Sequence, residues 1–239
     1  MVMALNIALV GYGKMGREIE KAAISRGHQI VAKVGREGIA AHSMEGAQVA
    51  IEFTEPAAAM VNIRTLLGMG IPTVCGTTGW FDRILELEEA ARDTPLVYAS
   101  NFSLGVNILF QINQDLARMM APYSDYQVSI EEVHHTAKKD APSGTAISLA
   151  QGILPEYPEL TGWALAETAG SQELPIRALR QDPVPGTHTV TYASEVDVLS
   201  LTHVAHSRAG FALGAVLAAE KAFHLKDGIH PFASLLFAR

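Results

Sequence analysis

One cysteine, Cys75, stands in the 239 residues of the chain. A lone thiol excludes an internal disulfide and a cysteine-based zinc site, and it fits a reducing compartment. Its surroundings, IPTVCGTTG, are apolar, so a small buried hydrophobe is the role expected of it. Positive charge is also scarce. Eighteen Lys and Arg against 25 Asp and Glu leave a net charge of -7, with no basic footprint for nucleic acid. No long uncharged apolar run is present, which argues against a membrane span. The first residues, MVMALNIALVGYGKMG, carry no basic leader, and their apolar run is too short for a signal sequence. A cytoplasmic protein is expected.

What is present is a composition suited to folding. Of the residues 49% are hydrophobic and 18% charged, enough for one large domain or two modest ones. Short β-rich runs at 5–10, 29–34, 47–53, 71–76 and 95–99 alternate with helical stripes over 17–27, 57–70 and 81–93. Parallel strands need crossover helices, so this rhythm predicts a doubly wound parallel sheet, an α/β fold of Rossmann-like type. After residue 104 the rhythm changes. A longer amphipathic helix at 106–120 precedes an alternating strand at 126–135, a helix at 145–153, a Pro- and turn-rich stretch at 155–188, and two alternating strands across 187–207. These predict an α+β domain with an antiparallel sheet. A small-residue helix at 208–223 is expected to return to the first domain. The organisation expected is 1–104 with 209–239 as a dinucleotide-binding domain, and 105–208 as a substrate-binding and oligomerisation domain.

Gly11-Tyr12-Gly13-Lys14-Met15-Gly16 lies where the first strand meets the first helix. Glycines there let backbone approach a pyrophosphate, and a helix N-terminus offers unpaired N–H groups with partial positive charge. The turn is expected to be tighter than the usual glycine-rich form. A strand–helix turn that binds nothing is the alternative. Some 20 residues on, a dinucleotide site reads the ribose; here Arg36 could fork onto a 2′-phosphate and Glu37 onto hydroxyls. NADPH, or NADPH and NADH both, is the cofactor expected. Phe53 and Thr54, Gly76, Thr77 and Thr78, and Ser100, Asn101 and Phe102 follow three successive predicted strands, at the ends that line the ligand crevice of an open α/β sheet.

Residues 131–146, EEVHHTAKKDAPSGTA, gather two histidines and two lysines ahead of a Pro-Ser-Gly-Thr turn. They form either a solvated basic loop or a site for an anion and a proton. Histidine is suited to proton transfer near neutral pH, and lysine gives a compact charge for a carboxylate. Pro142 can sit near the first turn of the next helix, with Ser143, Gly144 and Thr145 supplying backbone and hydroxyl donors. A structural helix cap at Ser143 or Thr145 is the competing reading. Adjacent histidines on a strand face opposite ways, and no nearby acid has a recognised ligand spacing, so no metal site is expected.

Residues 132–145 fit E-x-H-H-x-x-K-x-D-A-P-S-G-T throughout. Together with Gly76-Thr77-Thr78-Gly79, Asn101 to Val106, and His203 to Arg208, they make the chain resemble the 4-hydroxy-tetrahydrodipicolinate reductase (dihydrodipicolinate reductase) family nearly end to end. The resemblance implies NAD(P)H-dependent reduction of a cyclic, unsaturated dicarboxylate in diaminopimelate and lysine biosynthesis, with loss of water, hydride transfer and protonation by a histidine. It implies a homotetramer in the cytoplasm. It matches His134 to the proton donor, Lys138 to a catalytic and substrate-binding role, and His135, Gly144 and Thr145 to substrate contacts. Gly11 and Gly16 match the cofactor loop, and Gly76 and Thr78 a place beside the nicotinamide. Two features depart from the family. Gly35-Arg36 stands where an acid often ends the second strand. The stretch Arg177 to Pro185 also lacks the usual R-G-G loop, although Gly186 and His188 fit. Another two-domain dehydrogenase would not be expected to reproduce residues 134–145, and a nicotinamide-sensing DNA-binding regulator would want a basic recognition helix, which is not seen.

Overall fold

The computed structural model describes residues 3–39 and 44–237; residues 1–2 and 238–239, the ends assigned above to the dinucleotide-binding domain, lie outside the described residues. The chain divides into two compact units. One is formed by the chain up to Leu104 together with the chain from Arg208, the other by Gly105–Ser207.

In the first unit β1 (Asn6–Val10), β2 (Gln29–Val34), β3 (Val49–Glu52), β4 (Thr73–Cys75), β5 (Leu96–Tyr98) and the chain's last strand, β11 (Ile229–Pro231), pair in the order β11-β5-β4-β3-β1-β2. Every pairing is parallel. Burial on both faces explains the continuous apolar runs. In β1, Ile7 and Leu9 pack against Ile19 and Ala23 of α1 (Lys14–Ser25) and Ala215, Val216 and Ala219 of α5 (Ala209–Ala222). Ala8 and Val10 turn to the opposite face, which α2 (Pro56–Gly68) covers with Leu66. The sheet is therefore doubly wound, as its sequence rhythm predicts. A short α6 (Phe232–Phe237) closes the unit by burying Phe232.

One expected helix does not form as such. Over 81–93 the chain makes a 3₁₀ segment, Phe81–Leu87, and then turns. Phe81, Ile84, Leu87 and Ala90 all pack on the cluster around Trp80 and Leu96, and they recur every third residue. A three-residue repeat keeps them on one line only in the tighter 3₁₀ winding.

The second unit contains α3 (Leu104–Met120) from its second residue on, β6 (Gln127–His134), α4 (Gly144–Ile153), β7 (Gly162–Leu165), β8 (Glu173–Arg180), β9 (Gly186–Ala193) and β10 (Val198–Ala205). Its sheet runs β10-β9-β6-β8-β7. β10, β9 and β6 are antiparallel as expected, but β6, β8 and β7 are parallel, so the sheet is mixed. The parallel half comes from the Pro-rich stretch, which predicted no strand. Pro175 pairs with Ala164 of β7 and lies one residue ahead of Ile176, where pairing with β6 begins. Its missing N–H thus falls outside the β6 ladder. Leu149, Ala150 and Ile153 of α4 pack with Ile130, Ile176 and Val190 to make this unit's core. Among the described residues no helix is long and apolar enough to cross a membrane.

Candidate active site

The parallel sheet brings the glycine turn after β1 beside the loops after β3 and β4. Strand order reverses between β1 and β3, the switch point at which open α/β sheets hold ligands. A cavity of about 360 Å³ opens there, lined by Gly13, Lys14, Met15, Phe53, Thr54, Pro56, Gly76, Thr77 and Thr78. Gly11 adopts φ +95, and a Cβ on it would lie 2.0 Å from the Phe53 carbonyl oxygen, so only glycine closes this turn. The expected tightening is not found: residues 11–16 hold the full G-x-G-x-x-G spacing, and α1 starts directly from Gly13. Among the described residues no side chain caps that helix, and no acid lies in its first turn, which leaves its N-terminal N–H groups suited to an anion. At Gly76 a Cβ would enter the Phe53 ring at 2.0 Å; hydrogen at this position keeps the floor of the cavity open. The cradle fits a dinucleotide.

A buried carboxylate braces this floor. Glu52, fully buried at the end of β3, accepts from the Thr54 hydroxyl, from Asn62 Nδ2 at 3.2 Å and from the Cys75 thiol at 3.1 Å. The Thr54 N–H in turn donates to Thr77 Oγ1 at 2.8 Å, tying two cavity loops together. Burial first, and then the Glu52 charge, push the Cys75 thiol well above its ordinary pKa.

Several sequence candidates stand back from the cavity. Tyr12 donates to Glu20 and lies under Lys33, whose Nζ is 5.0 Å from its ring centre. Phe102 is core, packed between Phe53 and Phe232. The Asn101 side-chain Oδ1 accepts from the Ser103 N–H at 2.8 Å and shapes its own loop, and Ser100 is exposed. Gly11 and Gly16 form the turn without lining the cavity, and Arg36 is exposed just beyond β2. Glu37 closes its own turn, accepting from the Gly35 N–H at 2.7 Å, so its carboxylate is engaged locally.

The second candidate centre lies in the other unit. β6 buries Val128, Ile130, Glu132 and His134 on one face, so two polar groups hold positions that alternation assigns to the core. Glu132 Oε1 accepts from the Ser143 N–H at 3.0 Å and from Arg180 Nη2 at 3.2 Å. Its Oε2 lies 3.3 Å from His134 Nδ1 and 3.8 Å from His188 Nε2, without an aligned hydrogen bond to either. The two imidazoles meet edge to face, 5.0 Å apart. Burial is the main cause that lowers the His134 pKa; Lys138 and Arg180 add to it, while Glu132 and Asp140 oppose it. Burial takes His188 down to about 3, so its ring is neutral across the physiological range.

Lys138 donates to both oxygens of Asp140 at 2.9 Å. Burial pushes Asp140 up, but the Lys138 bonds and charge, with Arg180, hold it below its usual range. Arg180 also bonds the carbonyls of Lys138 and Asp140, while the Thr136 N–H donates to Asp182 at 3.2 Å. The stretch that departs from the expected loop therefore clamps residues 134–140. Ser143 is the N-cap of α4, accepting from the Ala146 N–H at 3.2 Å and meeting His188 Nε2 at 3.2 Å. Its hydroxyl serves the fold, so the expected hydroxyl donor is already engaged. Pro142 precedes this cap and does not enter the first turn. Gly144 and Thr145 occupy the first turn, and His135 follows β6 half-buried.

Glu132, His134 and His188 bring ligand atoms within 4.8 Å of one another, a spacing open to a metal ion. Arg180 on the same carboxylate, with Lys138 acting on both rings, places positive charge where a cation would bind. The arrangement suits proton chemistry on an anion. Sequence reasoning missed Glu132 and Arg180; the signal for Glu132 was its place in the alternation of β6.

Residues 5–102 match the family model for the N-terminus of dihydrodipicolinate reductase, and residues 105–236 match the model for its C-terminus. A 4-hydroxy-tetrahydrodipicolinate reductase of Christiangramia forsetii is 52% identical over 227 residues, 93% of each chain. One from Methanocorpusculum labreanum is 36% identical over 79% of this chain and 75% of its own. Among solved structures, a dipicolinate-bound dihydrodipicolinate reductase from Paenisporosarcina superposes with TM-score 0.73 at 21% identity, covering 96% of this chain and 98% of that one.

Proposed function

We propose a division of labour among these residues from the premise that the chain belongs to the dihydrodipicolinate reductase family. The activity is NAD(P)H-dependent reduction of 4-hydroxy-tetrahydrodipicolinate in diaminopimelate and lysine biosynthesis, with the nucleotide bound by the N-terminal, Rossmann-like domain. A small dicarboxylate is the ligand class.

Gly13, Lys14 and Met15 receive the pyrophosphate at the start of α1, and Phe53, Thr54, Gly76, Thr77 and Thr78 seat the nicotinamide end. Gly11 and Gly16 shape that turn; Ser100, Asn101 and Phe102 support it from the neighbouring strand end. When bound, the nicotinamide supplies the hydride. The remaining work is charge and a proton. Lys138, His135 and the first turn of α4 at Gly144 and Thr145 hold the carboxylates, and Ser143 supports that turn as its cap. His134 delivers the proton from Nε2, since Nδ1 is buried against Glu132. Gly186 leaves space beside this nitrogen: a Cβ there would come within 3.1 Å of it.

The observation that carries this reading is the single cluster formed by residues 132–145, with an imidazole and a helix N-terminus on one buried carboxylate, and an ammonium on Asp140 in the loop that Arg180 ties to that carboxylate. A coupled assay supplying pyruvate, aspartate semialdehyde and the upstream synthase tests it by oxidation of NADPH and NADH. Turnover is expected with the parent, and a loss of about 10²–10⁴-fold with His134→Gln. Near-parent turnover in folded His134→Gln removes the proton-donor assignment.

A homotetramer in the cytoplasm completes the proposal. β10, at a sheet edge, leaves Val198 and Val204 on one face and Leu199 on the other 62%, 52% and 43% exposed, apolar surface that suits another copy of the chain.

A further inference from the structure

Glu132 is completely buried on the core face of β6, where an isolated carboxylate is costly and a hydrophobic residue would suit the packing. Its two oxygens do different things. Oε1 is anchored by the Ser143 N–H and the Arg180 guanidinium. Among the described residues Oε2 has no aligned partner, and it lies between His134 Nδ1 and His188 Nε2. A carboxylate fixed at one oxygen and presented to an imidazole through the other has the geometry that sets a histidine's tautomer and ring orientation.

We infer that Glu132 is a positioning residue for the reduction: its Oε2 holds the proton of His134 on Nδ1, so that Nε2 is the nitrogen that gains and gives up the transferred proton. The inference rests on the reading of His134 as proton donor. Step by step, the ring protonated on both nitrogens loses the Nε2 proton to the substrate carbon, its N–H bond pair returns to the ring, and Nδ1–H stays against Glu132. Solvent then returns one proton to Nε2.

The groups facing this ring are Glu132 on its own strand, Lys138 and Asp140 after it, Arg180 on β8 and His188 on β9. Lys138 and Arg180 oppose a charged ring; Glu132 and Asp140 favour it. His188, neutral over the working range, contributes shape without charge. Deleting the Glu132 charge leaves the two cations less opposed, so the ring loses its proton at lower pH.

The test compares pH–rate profiles of the parent and Glu132→Gln, with nucleotide KM as a control. The alkaline limb is expected to move to lower pH by about one unit, a roughly tenfold loss of turnover above it, with the KM for NADPH unchanged. Glu132→Asp is expected to restore part of the shift. In a His134→Gln background the Glu132→Gln change is expected to have little further effect. An unmoved limb, or an equal loss in both backgrounds, overturns the role of Glu132 while leaving that of His134 intact. Full activity in His134→Gln instead removes the premise. Nitrogen NMR of the His134 ring in the unmutated enzyme supplies a reading that needs no stable variant: Nδ1–H in the neutral ring supports the assignment, and Nε2–H overturns it.

Discussion

Arg26 grips Glu220 through two parallel contacts, Nε to Oε1 at 2.7 Å and Nη2 to Oε2 at 2.9 Å, between residues 194 positions apart. His28 joins them. Its Nδ1 accepts from the Leu5 N–H at 3.1 Å, so Nε2 carries the proton shared with Glu220 at 2.8 Å. The end of α1, the start of β1 and helix α5 thus converge on one carboxylate.

Glu220→Ala is expected to destabilise the protein by about 1–3 kcal/mol, measured by urea unfolding at pH 7, because it leaves Nε2 of the buried His28 ring and the partly buried Arg26 guanidinium unpaired. Burial raises the Glu220 pKa, but Arg26 and His28 lower it further, to a net depression. A depressed carboxylate contributes fully above its unfolded value, near 4.5, and loses that contribution as the pH falls through the folded value. The difference between parent and variant should therefore shrink below about pH 4.5.

His188 gives a second pH dependence, in a different window. Its folded pKa of about 3 lies below the ordinary 6.5. Between those values the unfolded chain binds the extra proton, so stability falls as the pH falls. The slope from this ring reaches about 1.4 kcal/mol per pH unit. His188→Gln should remove that part of the slope between pH 6 and 4, as read from denaturant midpoints; an unchanged slope would show that the ring does not control it.

Arg36 is exposed beyond β2, while Glu37 is held by the Gly35 N–H. A guanidinium there suits a 2′-phosphate. Arg36→Ala is expected to raise the apparent KM for NADPH roughly 10- to 100-fold and leave that for NADH nearly unchanged, since a charge-assisted bidentate contact is worth about 1.5–3 kcal/mol. Equal effects on both cofactors would sink this role.

Arg180 holds Glu132, Lys138 and Asp140 at once. Arg180→Lys keeps the charge but loses the fork, so residues 138–140 should loosen. The expected result is a several-fold rise in substrate KM with nucleotide KM unchanged. Parity with the parent in substrate KM would mean that the loop holds itself.

The nucleotide unit is the more legible half in sequence because its central strands β1, β3 and β4 are buried on both faces, and β1 and β4 run directly into glycine. LNIALVGYG carries both signals in nine residues. β8 is obscure because ELPIRALR mixes a proline with two arginines, and pairing with both neighbours decides what propensity does not. The signature residues 134–145 are legible in the sequence, but nothing local gives the carboxylate beneath them a role. Alternation puts Glu132 with Val128 and Ile130; a charged residue on a strand reads as surface until its partners are known. Arg180 had no local signal, since its meaning lies in contacts 40 to 48 positions away.

Cys75 has a use that its chemistry alone does not suggest. The thiol is wholly enclosed, donates to Glu52 and sits on the strand beneath the nucleotide cavity. A thiolate-seeking reagent has no path to it while β3 and β4 are closed. Its rate of modification is therefore a clock for opening of this sheet, read from one site with no engineered label. Bound nucleotide should slow the clock in proportion to how much it favours the closed form.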